Sequence, residues 1–271
     1  MFADDTTLVF RNKDKIYLEA MVNEDLSSAA DWLAENKLSL NIIKTNFMHF
    51  DLSRSNTGSP KLFIGSKPIL NVKSQKFLGV IFDDKLSWKE HILSIISKLN
   101  SCLGATRRAR PYLNTHSLFT IYYSLMQSHT QYCCETWGSW ESRGNKVILQ
   151  RLQAVCNKFF RLIYNLDSRD SVRGLIRENN VMNVNQLYNH SLGKTMHRAK
   201  QNTLPVPLQS LFQICPTNSN LFLVKSSRIK RTQKSITQAG PKVWNCLPNA
   251  LLVETEYKKF LSSMKRHVIN T

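Results

Sequence analysis

A change of hydrophobic period near residue 88 constrains the fold of this chain more than any other feature. From there Trp88, Ile92, Ile95, Ile96, Leu99 and Leu103 recur at the spacing of an amphipathic helix. A second stripe, Leu118, Ile121, Tyr122, Leu125 and Met126, predicts a helix beginning near Thr115. A third runs over residues 145–164 through Ile148, Leu152, Val155, Phe159 and Ile163. Ser87-Trp88-Lys89-Glu90 has the form of a capping box, with Ser87 as the cap and Glu90 three residues on.

Before residue 88 the pattern is mixed. Leu18, Met21, Val22, Leu26, Ala29, Ala30 and Leu33 predict one helix over residues 16–33, which Asn36 stops. Residues 45–50 and 75–82 read as strands. Two further apolar runs, 61–64 and 67–70, follow the polar loop 53–60 and are joined by Gly65-Ser66, a hairpin signal of the kind that starts with Gly. Pro68 confines its strand to an edge, because it lacks a ladder donor.

After residue 164, helices are predicted over 184–199 and 254–268, the latter with Tyr257, Phe260, Leu261 and Met264 inward. Pro205, Pro207, Pro216 and many Ser, Thr, Asn and Gln predict loop and extended chain over 201–240. The fold class is α+β, with strands in roughly the first third.

Charge divides the chain in the same place. Residues 1–91 hold 12 basic and 12 acidic side chains, residues 92–180 hold 12 and 5, and residues 181–271 hold 13 and 2. A neutral first third ahead of a strongly basic remainder suits a protein that tracks phosphate backbones. Arg107, Arg108 and Arg110 follow the first helix of the basic part, and Arg151, Lys158 and Arg161 share one side of the third. Like charges on one helix side serve equally as a solvated face. Lys225, Arg228, Lys230, Arg231 and Lys234 fit an RNA-binding arm or a nuclear-import signal.

Other classes are excluded. A content of 42% hydrophobic and 10% aromatic residues argues against wholesale disorder. No apolar run approaches the ~20 residues of a membrane span. Met1-Phe2-Ala3-Asp4 is too acidic to start a signal peptide, so the reading is an intracellular protein with no membrane partner. Six cysteines show no C-x-x-C pair and no zinc spacing, and are read as reduced and structural. The seven histidines form no ligand-like set.

Asp4 and Asp5 carry the chemistry. Two neighbouring carboxylates ahead of the β-prone run Thr6-Thr7-Leu8-Val9-Phe10 suit a hairpin tip that holds a divalent metal. Mg²⁺ takes one or two carboxylates and leaves room for substrate phosphates. Taken alone, the pair serves as well as a solvated turn.

Phe2-Ala3-Asp4-Asp5 is followed by Trp32-Leu33, Asn36-Lys37-Leu38-Ser39-Leu40-Asn41 and Lys44-Thr45-Asn46-Phe47-Met48. Then come Phe77-Leu78-Gly79-Val80, Leu86-Ser87-Trp88, His91-Ile92, Tyr132, Trp137-Gly138, Leu149-Gln150-Arg151-Leu152-Gln153, Gly240-Pro241, Trp244-Asn245 and Leu247-Pro248. This ordered set resembles the C-terminal part of reverse transcriptases from non-long-terminal-repeat, jockey-like retrotransposons. The resemblance implies the end of a polymerase palm over residues 1–84, a helical thumb over 85–165 and a basic C-terminal region over 166–271.

It also implies roles. Asp4 and Asp5 would be catalytic ligands of Mg²⁺ in a two-metal site. Lys44 would lie near the incoming triphosphate and neutralise charge on the departing pyrophosphate. Phe77, Leu78 and Gly79 would form the primer grip, with Gly79 admitting a nucleic-acid backbone; a glycine bulge in a core strand is the competing reading. Arg107, Arg108, Arg110, Arg151, Lys158 and Arg161 would hold the duplex by its phosphates. Trp244-Asn245 and Leu247-Pro248 would make a Trp-anchored turn before the last helix.

The implied partners are an RNA template, a DNA primer, their duplex and deoxynucleoside triphosphates, in the nucleus or a cytoplasmic ribonucleoprotein. The family's other metal-bearing strand would lie upstream of Met1, so the expectation is a fragment inactive by itself that keeps nucleic-acid binding. Two rivals are a nucleic-acid-binding protein without catalysis and a decayed transposon remnant.

Overall fold

In the computed structural model, which describes residues 6–50, 58–139, 143–226, 233 and 235–271, the chain divides after Ser87 into two units. The first unit, residues 1–87, is built on the helix Lys15–Glu35. Asp14 caps it, its Oδ1 accepting from the N–H groups of Ile16 (2.8 Å) and Tyr17 (3.3 Å), and Asn36 closes it as predicted. Val22 is its buried residue, while Leu18, Leu26 and Ala30 pack half-exposed on Leu62, Ile64 and Ile69.

Short strands complete this unit. Phe63–Ile64 pairs antiparallel with Lys67–Pro68. Gly65 turns between them at φ +58°, as the hairpin signal requires. Asn46–Phe47 pairs parallel with Leu70–Asn71. The strand expected over 75–82 is instead a hairpin, Ser74–Phe77 against Val80–Asp83. Leu78 (φ +46°) and Gly79 (φ +85°) form its two-residue turn, a left-handed geometry that Leu rarely signals. Gly79 is therefore neither a bulge nor a core-strand residue.

The second unit, residues 88–271, is helical. Its first helix, Lys89–Ala109, buries Ile92, Ile95, Ile96, Leu99 and Leu103 as the stripe predicts. Ser87 is not its cap. The cap position is Trp88, in the left-handed region (φ +63°). The preceding loop is held by buried Asp83, whose Oδ1 accepts from the N–H groups of Lys85 (3.2 Å) and Ser87 (2.9 Å).

The helix Arg143–Tyr164 packs along Lys89–Ala109, and its buried residues Ile148, Leu152, Val155, Phe159 and Ile163 match the predicted face. Between them, Thr115–Ile121 runs into a π-helical stretch, Tyr122–Gln127, and a further α-helical turn, Ser128–Gln131. Leu118, Tyr122, Met126 and Thr130 are buried at a constant spacing of four. An α-helix would rotate such a row off the core, and the wider π turn keeps it facing inward. Leu125, expected inside, is 41% exposed for that reason.

The helix Val184–Lys200 is the centre of the remainder. Its capping box is complete: Asn183 Oδ1 accepts from Gln186 N–H, and Gln186 Oε1 from Asn183 N–H, both at 2.9 Å. The helices Ile236–Asn245 and Tyr257–Asn270 pack on it, each by a close approach at a glycine. A side chain at Gly193 would meet Met264, and one at Gly240 would meet Met196.

Two expectations for this region change. Residues 236–240, read as loop, are helical, with Pro241 inside the helix. Trp244 and Asn245 lie on that helix rather than in a turn. The hairpin of Ile214–Cys215 and Asn218–Phe222 packs against it.

Candidate nucleic-acid interface

Asp4 and Asp5, the proposed Mg²⁺ ligands, lie outside the described residues, as do Arg228, Lys230, Arg231 and Lys234. Among the described residues no group of three or more His, Cys, Asp or Glu side chains is placed to hold a metal ion. Lys44 is exposed in the turn before Asn46–Phe47, with its backbone N–H bonded to the Asn41 carbonyl (3.1 Å). Phe77, Leu78 and Gly79 sit together at a hairpin tip. Phe77 and Leu78 are 40% and 49% exposed, and the Phe77 ring stands edge-on to Phe82. The tip is an exposed apolar projection rather than part of a core.

The arginines and lysine of the helical unit separate into two kinds. Arg110 is half-buried and its Nε donates to the carbonyl of Leu162 at 2.7 Å. That carbonyl belongs to the last turn of Arg143–Tyr164, where helix acceptors lack intrahelical donors and a cation is favoured. Arg161 Nε donates to the Asp170 carbonyl at 2.9 Å and ties down the loop after the same helix. Both are fastened to the fold. Arg107, Arg108, Arg151 and Lys158 are exposed and bond to no described residue. Arg151 and Lys158, seven residues apart, align on one side of their helix.

The electrostatic asymmetry follows the two units. Residues 1–87 carry 11 basic and 11 acidic side chains, and residues 88–271 carry 26 and 8, so the whole net charge of +18 belongs to the helical unit. The buried titratable groups of that unit are neutral. Burial, with Lys98 secondary, lowers His91 to about 4, and burial likewise lowers His190 and His197. Burial pushes the Cys134 and Cys156 thiols up to about 12. All six cysteines are free, as the spacing implied.

The tryptophan motifs are anchors. Trp137 is fully buried and donates from Nε1 to the Tyr132 carbonyl (3.0 Å). A methyl group at Gly138 would stand 2.6 Å from the Cys134 carbonyl oxygen and 2.9 Å from the Tyr188 ring, so only glycine fits there. Trp244, also fully buried, donates to the Asn220 carbonyl (2.9 Å). Asn245 clasps Phe222, accepting from its N–H (3.0 Å) and donating to its carbonyl (2.8 Å).

Sequence reasoning passed over Tyr112, which is 89% exposed in the turn Arg110–Tyr112, directly after the arginine cluster. A tyrosine next to Pro111 and following three arginines was the available signal.

The fold is thus mixed α+β, with a basic helical unit and structural tryptophans at the motif positions, and the ordered motifs resemble those of transposon reverse transcriptases. Comparison with known proteins agrees. Over 166 residues, 60% of its length, the chain is 25% identical to a probable RNA-directed DNA polymerase from transposon X-element of Drosophila melanogaster. The match covers 18% of that relative's length. The resemblance read from the motifs is thus met by a relative, and this chain is related to a transposon RNA-directed DNA polymerase. No family model matches the chain, and no solved structure matches it. No helix among the described residues is long and apolar enough to cross a membrane.

Proposed function

We propose that this chain is part of a reverse transcriptase of a non-long-terminal-repeat retrotransposon, in which the helical unit comprises the thumb and the basic C-terminal region. The segregation of the entire +18 charge into residues 88–271 carries this reading. Arg107, Arg108, Arg151 and Lys158 contact the phosphates of a template–primer duplex, while Arg110 and Arg161 hold the helices that present them. Phe77, Leu78 and Gly79 form the primer grip on a palm hairpin, and Lys44 approaches the triphosphate. Asp4 and Asp5 would hold Mg²⁺, and the ion would supply charge stabilisation for the attacking hydroxyl and the departing pyrophosphate. The protein works intracellularly, in the nucleus or in a cytoplasmic ribonucleoprotein. By itself the 271-residue polypeptide binds nucleic acid without extending a primer.

The test is binding of the full chain to an RNA–DNA hybrid across salt concentrations. Four phosphate contacts give a log–log slope of roughly −3 to −4, with little sequence preference. Replacing Arg151 and Lys158 with Ala lowers the slope by about 2. A salt-insensitive complex, or none at low ionic strength, overturns the thumb assignment. Robust Asp4-dependent incorporation by this polypeptide overturns its inactivity.

A further inference from the structure

The exposed side of the helix Lys89–Ala109 carries an arrangement that duplex phosphate binding does not need. Gly104 lies opposite the buried row Ile95, Leu99 and Thr106, and a side chain built on it would meet nothing within 4 Å. Packing does not require a glycine there, and a glycine inside a helix costs about 1 kcal/mol relative to alanine. One turn on, Arg108 is exposed and bonds to no described residue. Beyond the helix end, in the turn Arg110–Tyr112, Tyr112 is the most exposed large apolar or aromatic side chain described in the helical unit, at 89%.

Tyr112 is nevertheless held by a stiff frame. Arg110 is fixed to Leu162 at 2.7 Å, and the Leu113 N–H donates to the Arg110 carbonyl at 3.1 Å. Pro111 restricts the turn from within, and Leu113 packs on the helical core. An exposed aromatic ring on a braced turn, four residues after an exposed arginine, supplies the combination that receives an unpaired base: the ring stacks on the base while the cation takes the adjacent phosphate. The open space at Gly104, four residues before Arg108, lets the sugar–phosphate strand lie close.

We infer that Gly104, Arg108 and Tyr112 form a track for single-stranded nucleic acid, with Tyr112 as a stacking platform for one unpaired base. This rests on the nucleic-acid-binding reading of the helical unit and adds to it a preference for an unpaired strand at this site. The occupant is a single strand and not an apolar protein surface, because Tyr112 follows Arg107, Arg108 and Arg110 in the chain within a unit of net charge +18.

The experiment measures affinities of the full chain for a 30-nucleotide oligo(dT), a 30-nucleotide oligo(U) and an RNA–DNA hybrid, with the parent and four variants. Tyr112→Ala weakens both single strands about tenfold, as expected for a lost base stack, and leaves the hybrid within about twofold. Tyr112→Phe keeps the parent affinity. Gly104→Gln weakens single-strand binding while raising the thermal midpoint, since it adds a helix former where nothing clashes. Arg108→Ala weakens all three ligands and lowers the salt slope by about 1. A preference for oligo(U) over oligo(dT) assigns the track to RNA, and the reverse preference assigns it to DNA. If Tyr112→Ala and Gly104→Gln bind single strands like the parent while salt-dependent hybrid binding persists, the track is refuted and the thumb reading stands. If no ligand binds at low salt, both fail.

Discussion

The helix Lys15–Glu35 buries one described residue, Val22, whereas the shorter helix Val184–Lys200 buries ten. Both are well capped, by Asp14 and by the Asn183–Gln186 box. The difference lies in what covers them. The first unit lays two-residue strands on one helix face and leaves Ile16, Tyr17 and Trp32 more than half exposed. The helical unit surrounds Val184–Lys200 with five other helical elements and closes glycine-sized gaps around it. Local structure is therefore equally specified in both units, but the apolar burial that stabilises it is concentrated in the basic one. A phosphate-binding surface needs such a frame, because guanidinium groups held by a loose scaffold lose their geometry to side-chain and backbone entropy.

The largest expected effect is on that frame. Trp244→Ala removes a fully buried ring and orphans the Asn220 carbonyl, costing about 3–5 kcal/mol. Val22→Ala in the first unit costs about 1–2 kcal/mol. Hydrogen exchange resolved by segment reads both: Trp244→Ala opens residues 184–270, and Val22→Ala opens only residues 15–71. Equal costs would remove the asymmetry between the units.

Acid gives the next effect. The buried histidines, His91, His190 and His197, all belong to the helical unit. Each is lowered in the folded state, so folding favours its neutral form. Their contribution is full above the ordinary histidine value of 6.5 and is lost as pH falls; for His91 the loss runs down to about 4. A drop from 6.5 to about 4 corresponds to at most about 3 kcal/mol from His91. Denaturation midpoints at pH 7.5 and 4.5 check it, and a helical unit equally stable at both values contradicts the neutral-histidine assignment.

How far the sequence disclosed this molecule depended on whether a residue's partner was near it in the chain. Helices 15–35, 89–109, 143–164, 184–200 and 257–270 announce themselves through a repeat that every turn renews. The hairpin at 74–83 did not, because Leu78 adopts a left-handed turn without the Asn or Asp that usually marks one. The helix at 236–245 was hidden by the polar, proline-bearing stretch 201–240 that runs into it; within it Gly240 makes room for Met196. In the candidate interface the six cations looked alike. What removes Arg110 from the phosphate-binding set is a carbonyl 52 residues away, and no local pattern encodes that. Gly104, Arg108 and Tyr112 were overlooked for the opposite reason: what sets them apart is the lack of partners among the described residues.

The smallest expected effect is also the sharpest comparison, because the two units use one device in different surroundings. Asn23 on Lys15–Glu35 donates to the Lys61 carbonyl (3.0 Å) and accepts from the Phe63 N–H (2.9 Å). Asn245 on Ile236–Asn245 does the same to the N–H and carbonyl of Phe222. Phe222 is 3% exposed and Phe63 is 42% exposed. Truncating Asn245 to Ala leaves two backbone groups beside a buried ring without partners, costing about 2 kcal/mol. Truncating Asn23 hands the same two groups to water and costs at most about 1 kcal/mol. Paired denaturation curves of Asn245→Ala and Asn23→Ala measure the gap. If it closes, the clasp at Phe222 is as wet as the one at Phe63, and the contrast in burial between the units does not extend to their polar contacts.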